Sequence, residues 1–344
     1  MTRFSIGKLL RVTALLGAIL FLVAALALGV GAARVSVIET LFSPPAGARA
    51  EDLLRAREIL IGLRLPRIVL AALVGAALSV SGATFQAVLR NPLADPYILG
   101  VSGGAALGAI AATALGLDRT TAGWALRPLA AFAGAASTIF LIFFLARLRG
   151  RVSNYPLLLT GVVVNAFFSA LILFIITVAD YARFQQVFFW LVGNLEPPAW
   201  PTLVALAAGL AVGLLGLCAL SGRLNLLSLG EEEARALGVE VDRVKLGAIL
   251  TASFVTAAAV SWSGLVGFVG LMVPHAARLL WGPDHRLLLP ASALGGAAFL
   301  VAADTGARTL MAPTEMPVGI ITAAIGAPFF LFLFQRQKGG HHFD

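Results

Sequence analysis

The chain has 344 residues, 59% of them hydrophobic and only 12% charged, with a mean hydropathy of +0.94. That balance excludes an ordinary water-soluble domain and marks an integral membrane protein. The net charge of +8 suits phosphate-rich lipid headgroups and gives no reason to invoke nucleic acid, and a single cysteine, Cys218, excludes an intramolecular disulfide.

The first apolar run, 12–33, follows Arg3, Lys8 and Arg11. It exceeds a signal-peptide core in length and ends without an A-x-A cleavage site, so it predicts a first transmembrane helix. Charged residues are then absent from 68–89, 98–117, 128–146, 156–179, 201–220, 246–277, 287–303 and 316–335. Each stretch is near or above the roughly 17–25 residues that cross a bilayer as a helix. The run 246–277 is too long for one span, and its interior SWSGLVGFVG supplies a break. The expectation is an all-α polytopic protein, a single transmembrane domain over 1–344 with about ten spans and both termini on one side.

With the N-terminus inside, fifteen of the 25 Lys and Arg residues fall on the inner side and ten on the outer. This bias supports both ends being cytoplasmic. Six of the outer ten lie in 34–67, the longest outer segment, where turn-rich SPPAGARAED precedes LLRAREILIGLRLPR, a stretch with helical spacing before Pro66.

Between the two apolar runs that flank it, RNPLADPYILGVSGGAALGA at 90–109 places two prolines, an asparagine and two charges in apolar surroundings. Segment 180–200, with Gln185, Gln186, Asn194 and Glu196 around aromatic residues, predicts a short helix at the outer interface. On the inner side, 221–245 reads SGRLNLLSLGEEEARALGVEVDRVK. Gly230, first-turn acids Glu231, Glu232 and Glu233, an i,i+4 partner in Arg235 and a stop at Gly238 specify a short capped helix. By itself this reads equally as a solvated surface helix or as a docking element. A polar tail occupies 336–344.

Gly104 and Gly108, and Gly264, Gly267 and Gly270, are spaced to let helix backbones approach closely. VSGATFQAVLRNPLADP and VSWSGLVGFVGLMVPHAARLLWGPDHR occupy comparable places in the two halves, a weak echo of an inverted repeat. No G-x-x-x-x-G-K-[ST] occurs, the nearest glycine-lysine pair being Gly7-Lys8 before Leu9, so this chain carries no P-loop. His275, His285, His341 and His342 form no metal-ligand motif. No charge lies deep in the spans apart from end positions such as Asp304, which argues against ion-coupled transport and leaves a pore powered from elsewhere.

LRLPRIVLAALVGAALSVSGATFQ, RNPLADPYILGVSGGAALGA, LSLGEEEARALGV, GFVGLMVPHAARLLWGPDHRLLLPASALGGA and EMPVGIITAAIGAPFFLFL, in this order, together resemble the FecCD permease family. These are membrane subunits of type II ABC importers for iron-siderophores, haem and vitamin B12 in bacterial or archaeal cytoplasmic membranes. The resemblance implies ten helices per subunit and a homodimer or close heterodimer with the pathway between the copies. It also implies two separate ATP-binding subunits inside, carrying ATP and Mg²⁺, and a substrate-binding protein outside. No cofactor or catalytic residue is implied for this chain.

By the same resemblance Asn91, Pro92 and Leu93 form a cytoplasmic gate, with Asn154 and Tyr155 of VSNYPLLLTGV as a second constriction on a less similar loop. Gly230, Glu231, Glu232, Glu233, Arg235, Leu237 and Gly238 become the ATPase-coupling helix, and Arg64, Arg67 and Arg308 become exposed docking points for acidic residues of the binding protein. An iron chelate, siderophore or haem, is expected ahead of cobalamin, with an oxyanion such as molybdate more distant. The rival readings are an ion-coupled secondary transporter and a non-transporting membrane scaffold.

Overall fold

A computed structural model describes residues 4–31, 33, 35–41, 49–117, 123–147, 154–178 and 181–338. The expected Arg34, Arg119, Arg149 and Arg151, part of 34–67, Asp180 and the tail from 339, with His341 and His342, lie outside the described residues.

Every regular element among the described residues is helical. In chain order these are α1 (Ile6–Gly29), α2 (Val37–Leu41), α3 (Ala50–Arg57), a π-helical stretch (Glu58–Arg64), α4 (Leu65–Leu89), α5 (Val101–Ala114), α6 (Gly123–Arg147) and α7 (Asn154–Val178). They continue with α8 (Tyr181–Leu191), α9 (Trp200–Ala219), α10 (Ser221–Leu227), α11 (Glu231–Ala236), α12 (Val241–Ser263), α13 (Val269–Trp281), α14 (His285–Thr309) and α15 (Val318–Lys338). Seven helices are long and apolar enough to cross a membrane. The shorter α5, α13 and α15 bring the helices corresponding to the uncharged runs to ten, as the sequence predicts.

Two boundaries differ from the sequence reading. The helical stretch read before Pro66 does not stop there: α3, the π-helical turn and α4 run on as one 40-residue helix, Ala50–Leu89. Pro66 therefore stands inside a continuous helix, and the π turn just before it is the wider winding that accommodates the proline ring and its missing N–H. The run 98–117 is helical only over α5, 14 residues and about 21 Å, too short for the roughly 30 Å hydrocarbon layer. The break foreseen in 246–277 falls between Ser263 and Val269, so α13 is as short as α5.

Helix α4 is the central post: 78% of its apolar window is buried, against 17% for those of α1, α7 and α9, which present Phe21, Phe167 and Val212 outward as lipid-facing helices do. Close backbone approach makes that centre dense. A methyl group on Gly82 would run into the Gly270 carbonyl of α13, and one on Gly75 into the Gly296 carbonyl of α14. Gly104 and Gly108 meet α6 as their spacing predicts, at Gly134 and Ala130. Of the later trio only Gly270 marks a helix face. Gly264 instead ends α12 at φ 63°, and Gly267 borders open space in the break.

The bundle has two polar ends. At one, Lys8 donates to the Trp281 carbonyl (2.7 Å), Arg286 lies over the Phe4 ring (4.2 Å), and α10 joins the start of α14. The join is a single side chain: Asn225 Nδ2 donates to Asp284 (2.8 Å), while its Oδ1 accepts from the His285 N–H (2.8 Å) and pairs with His285 Nδ1 (2.7 Å). The Arg286 guanidinium, hydrogen-bonded to Asp284, holds that carboxyl down at about 2. A depressed carboxyl stabilises above its ordinary value near 3.9, so this contribution is lost only as pH falls towards 2. Asn225→Ala removes partners from both Asp284 and the buried His285, and should lower stability by about 1–3 kcal/mol. Thermal unfolding in detergent measures it, and an unchanged midpoint would contradict the join.

Candidate functional site

The gate turn follows from chain chemistry. Arg90 ends α4 in the left-handed region (φ 52°), the Asn91 side chain accepts from the Leu93 N–H (2.9 Å), and the Asp95 side chain accepts from the Tyr97 N–H (2.8 Å). Two Asx turns therefore stand in sequence, with Pro92 and Pro96 at positions that need no donor. Gly100, at φ 69°, starts α5. Pro92 and Leu93 are exposed and Asn91 is half-buried, so the tip of the turn is free while its base is anchored. Asn154 and Tyr155 begin α7, their side chains lying outside the description. Two turns on, Gly161 packs on the Ile98 carbonyl and Leu99, so α7 runs along the end of the gate turn.

The capped helix is α11. Its Gly230 has φ 150° and lies under the mobile end of the Glu233 side chain, and Gly238 closes it at φ 82° with the Val239 N–H bonded to the Ala234 carbonyl (3.0 Å). Glu232, Glu233, Arg235 and Leu237 face solvent, with Leu229 exposed beside them. Glu231 turns the other way. Its carboxylate meets Arg235 at 3.6 Å, the i,i+4 pair the sequence predicts, and also binds the buried Lys245 ammonium of α12 at 2.7 Å. Glu231 thus fastens α11 to the bundle.

The three outer arginines gather at the opposite end, and none is exposed as expected: Arg64 and Arg308 are buried, and the Arg67 side chain is only 15% exposed. Arg64 is 5% exposed and donates to the carbonyls of Leu28 (2.9 Å) and Ala33, supplying a cation and donors where α1 ends. Arg308 is 6% exposed and binds Asp304 (3.0 Å). Arg67 pairs with the same Asp304 (3.1 Å) on one side and with exposed Glu315 (2.8 Å) on the other. Sequence reasoning took all three as surface charges: the partners of Arg64 and Arg67 come from remote positions, two backbone carbonyls and a carboxylate 237 residues away, whereas Asp304 stands four residues before Arg308 and was legible as its i,i+4 partner. It also passed over Lys245 and Tyr97, whose importance lies in tertiary contacts that no local pattern encodes.

Residues 16–336 match the FecCD transport family. The chain belongs to this family. Similar curated proteins include the cobalamin import system permease BtuC of Halobacterium salinarum, 49% identical over 82% of this chain and 74% of that one. Another is the hemin transport system permease HmuU of Yersinia pestis, 42% identical over 94% of this chain and 96% of its own. Among solved structures, a chain described as an inward-facing conformation of a metal-chelate type ABC transporter superposes with a TM-score of 0.81 at 32% identity, covering 95% of this chain and 99% of that one. This FecCD protein is accordingly a multi-pass membrane permease of the ABC transporter class, a transport subunit in the family that carries iron chelates, haem or cobalamin. Such a permease works with an ATPase and a substrate-binding protein.

Proposed function

We propose that this FecCD permease imports an iron chelate, siderophore or haem, handed over by an extracytoplasmic binding protein and released to the cytoplasm by the action of two ATP-binding subunits. The observation that carries the reading is similarity to the hemin permease over nearly the whole of both chains. Two copies pair around the pathway, and the exposed tip at Asn91, Pro92 and Leu93, with Asn154 and Tyr155, closes its inner mouth. Irregular backbone within a membrane protein is tolerated where protein or water surrounds it, which suits such a gate.

The exposed acids Glu232 and Glu233 with Arg235 and Leu237 meet the ATPase, while Gly230, Glu231 and Gly238 set the helix in place. The binding protein docks over Arg67, with Arg64 and Arg308 stiffening the ground beneath it. Partly exposed pairs contribute only about 0–1 kcal/mol each, so they orient the partner and speed encounter more than they set affinity. Asp304 lies at a span end between two arginines, and a compensated carboxylate is a poor proton relay, which disfavours ion coupling.

Cobalamin is the second reading, favoured by the 49% identity to the cobalamin permease. The test is uptake into proteoliposomes holding this chain with its ATPase and binding protein, across ferric siderophores, haemin and cyanocobalamin, with and without ATP at the ATPase face. ATP-dependent uptake of one iron chelate is the expected result. Selective cyanocobalamin uptake moves the assignment to the second reading, and uptake that ignores ATP but follows an ion gradient overturns both.

A further inference from the structure

We infer that Tyr97 is a positioning residue that ties the gate turn to α12, so that the short helix α11 and the base of the gate turn belong to one mechanical unit. The inference rests on the importer reading above and adds to it a specific joint.

At its first end α12 is bound to α11 by Glu231–Lys245 at 2.7 Å, with the Lys245 side chain 4% exposed, and by Arg235–Asp242 at 3.7 Å. From there α12 runs through 23 residues without an internal proline, about 34 Å of continuous helix, held along its length by α4, α5, α6 and α9. Such a rod transmits a displacement instead of absorbing it.

At its far end Gly264 stops the helix, and two residues later Val266 gives both its backbone groups to one side chain. The Tyr97 hydroxyl donates to the Val266 carbonyl at 3.0 Å and accepts from the Val266 N–H at 3.1 Å. A hydroxyl is one of the few groups that can satisfy a donor and an acceptor of the same residue. Asp95 fixes the backbone of Tyr97, and the adjacent Pro96 ring is stacked so closely on Gly270 that a methyl there would collide with it.

The only non-glycine residues with positive φ among those described, Arg90 (52°) and Phe268 (67°), stand on the two sides of this joint. Residues in that region are strained and persist where their surroundings over-determine them. The fold therefore has a tight knot at 95–97 and 264–266, bounded on both sides by a backbone position held out of its preferred region.

The variant Tyr97→Phe keeps the ring and removes both hydrogen bonds. In the full complex in proteoliposomes, we expect the ratio of substrate carried to ATP hydrolysed to fall severalfold, with hydrolysis persisting, since losing one to two net hydrogen bonds shifts the tethered fraction by about tenfold. A residue that only supports the fold would lower uptake and hydrolysis together and leave the ratio unchanged, which would overturn the proposal.

A second measurement needs no nucleotide: spin labels at positions 93 and 237, in a Cys218→Ser background, report the distance between the exposed tip of the turn and the end of α11. The distribution should broaden in Tyr97→Phe, and an identical distribution would refute the tether. If the wild-type complex shows no ATP-driven uptake, the importer reading fails, and the spin-label comparison alone decides the joint.

Discussion

Replacing Asp304 by alanine is expected to lower stability by about 3–5 kcal/mol, because it strips the shared counter-ion from two arginines at once. Asp304 is 1% exposed, Arg308 beside it is 6% exposed, and Arg67 reaches it from α4. Without the carboxylate, Arg308 is a buried cation with no acid within bonding range in the described structure, and Arg67 keeps only the exposed Glu315. The loss should appear as a lower thermal midpoint and a smaller monodisperse fraction in detergent.

Two companions separate charge from packing. Asp304→Asn, which keeps an acceptor and removes the charge, should fall between wild type and alanine. An apolar replacement of the whole set, Asp304→Leu with Arg67→Met and Arg308→Met, should be milder than Asp304→Ala, since no ion is then left unpaired. A cost below about 1 kcal/mol for Asp304→Ala would show that the arginines find water instead of the carboxylate.

The second large effect belongs to Gly82. In an isolated helix, glycine to alanine is favourable by up to about 1 kcal/mol, so a destabilising result carries its own diagnosis. A methyl group here has no free volume: it would overlap the carbonyl of Gly270, which is backbone and cannot rotate away. Gly82→Ala should cost about 1–3 kcal/mol, as overpacking does, and Gly82→Leu should abolish accumulation of folded permease in the membrane. Gly267→Ala, bordering open space, is the control and should be nearly silent. If Gly82→Ala were as silent as Gly267→Ala, α4 and α13 would not pack through these glycines.

What could be read from the sequence was whatever rests on local chemistry. The charge-free runs located ten helices, and SWSGLVGFVG marked the break within 246–277, because neither signal needs a remote partner, although Gly264 there was read as a packing glycine and instead ends α12. The same holds for α11: Gly230 and Gly238 take up positive φ values that their own side-chain-free backbones permit. What stayed hidden was direction. An arginine in LRLPR is equally compatible with water and with the carbonyls of Leu28 and Ala33, and only the packing of α1 against α4 decides between them. Glu231 and Glu232 are neighbours in sequence with the same chemistry. One binds Lys245 and the other faces solvent because 100° of helix rotation separates them. The gate turn was recognised as polar, whereas Tyr97 within it drew no reading of its own because Val266 lies 169 positions away.

The shortness of α13 bears on how the chain is made. Thirteen residues, including Pro274, His275 and Arg278, give about 20 Å of helix with a charge near one end. Such a segment has too little apolar length to settle in lipid as it leaves the insertion machinery, and its irregular lead-in, 264–268, would carry unsatisfied backbone groups into hydrocarbon. Those groups are satisfied in part by residues synthesised far earlier, Trp190 and Tyr97, and the helix itself is roofed by α14, which is synthesised after it. A helix so short, with partners on both sides of it in the chain, depends on them for its place in the bilayer, and α13 should be the span whose membrane insertion is most weakened when α14 is removed.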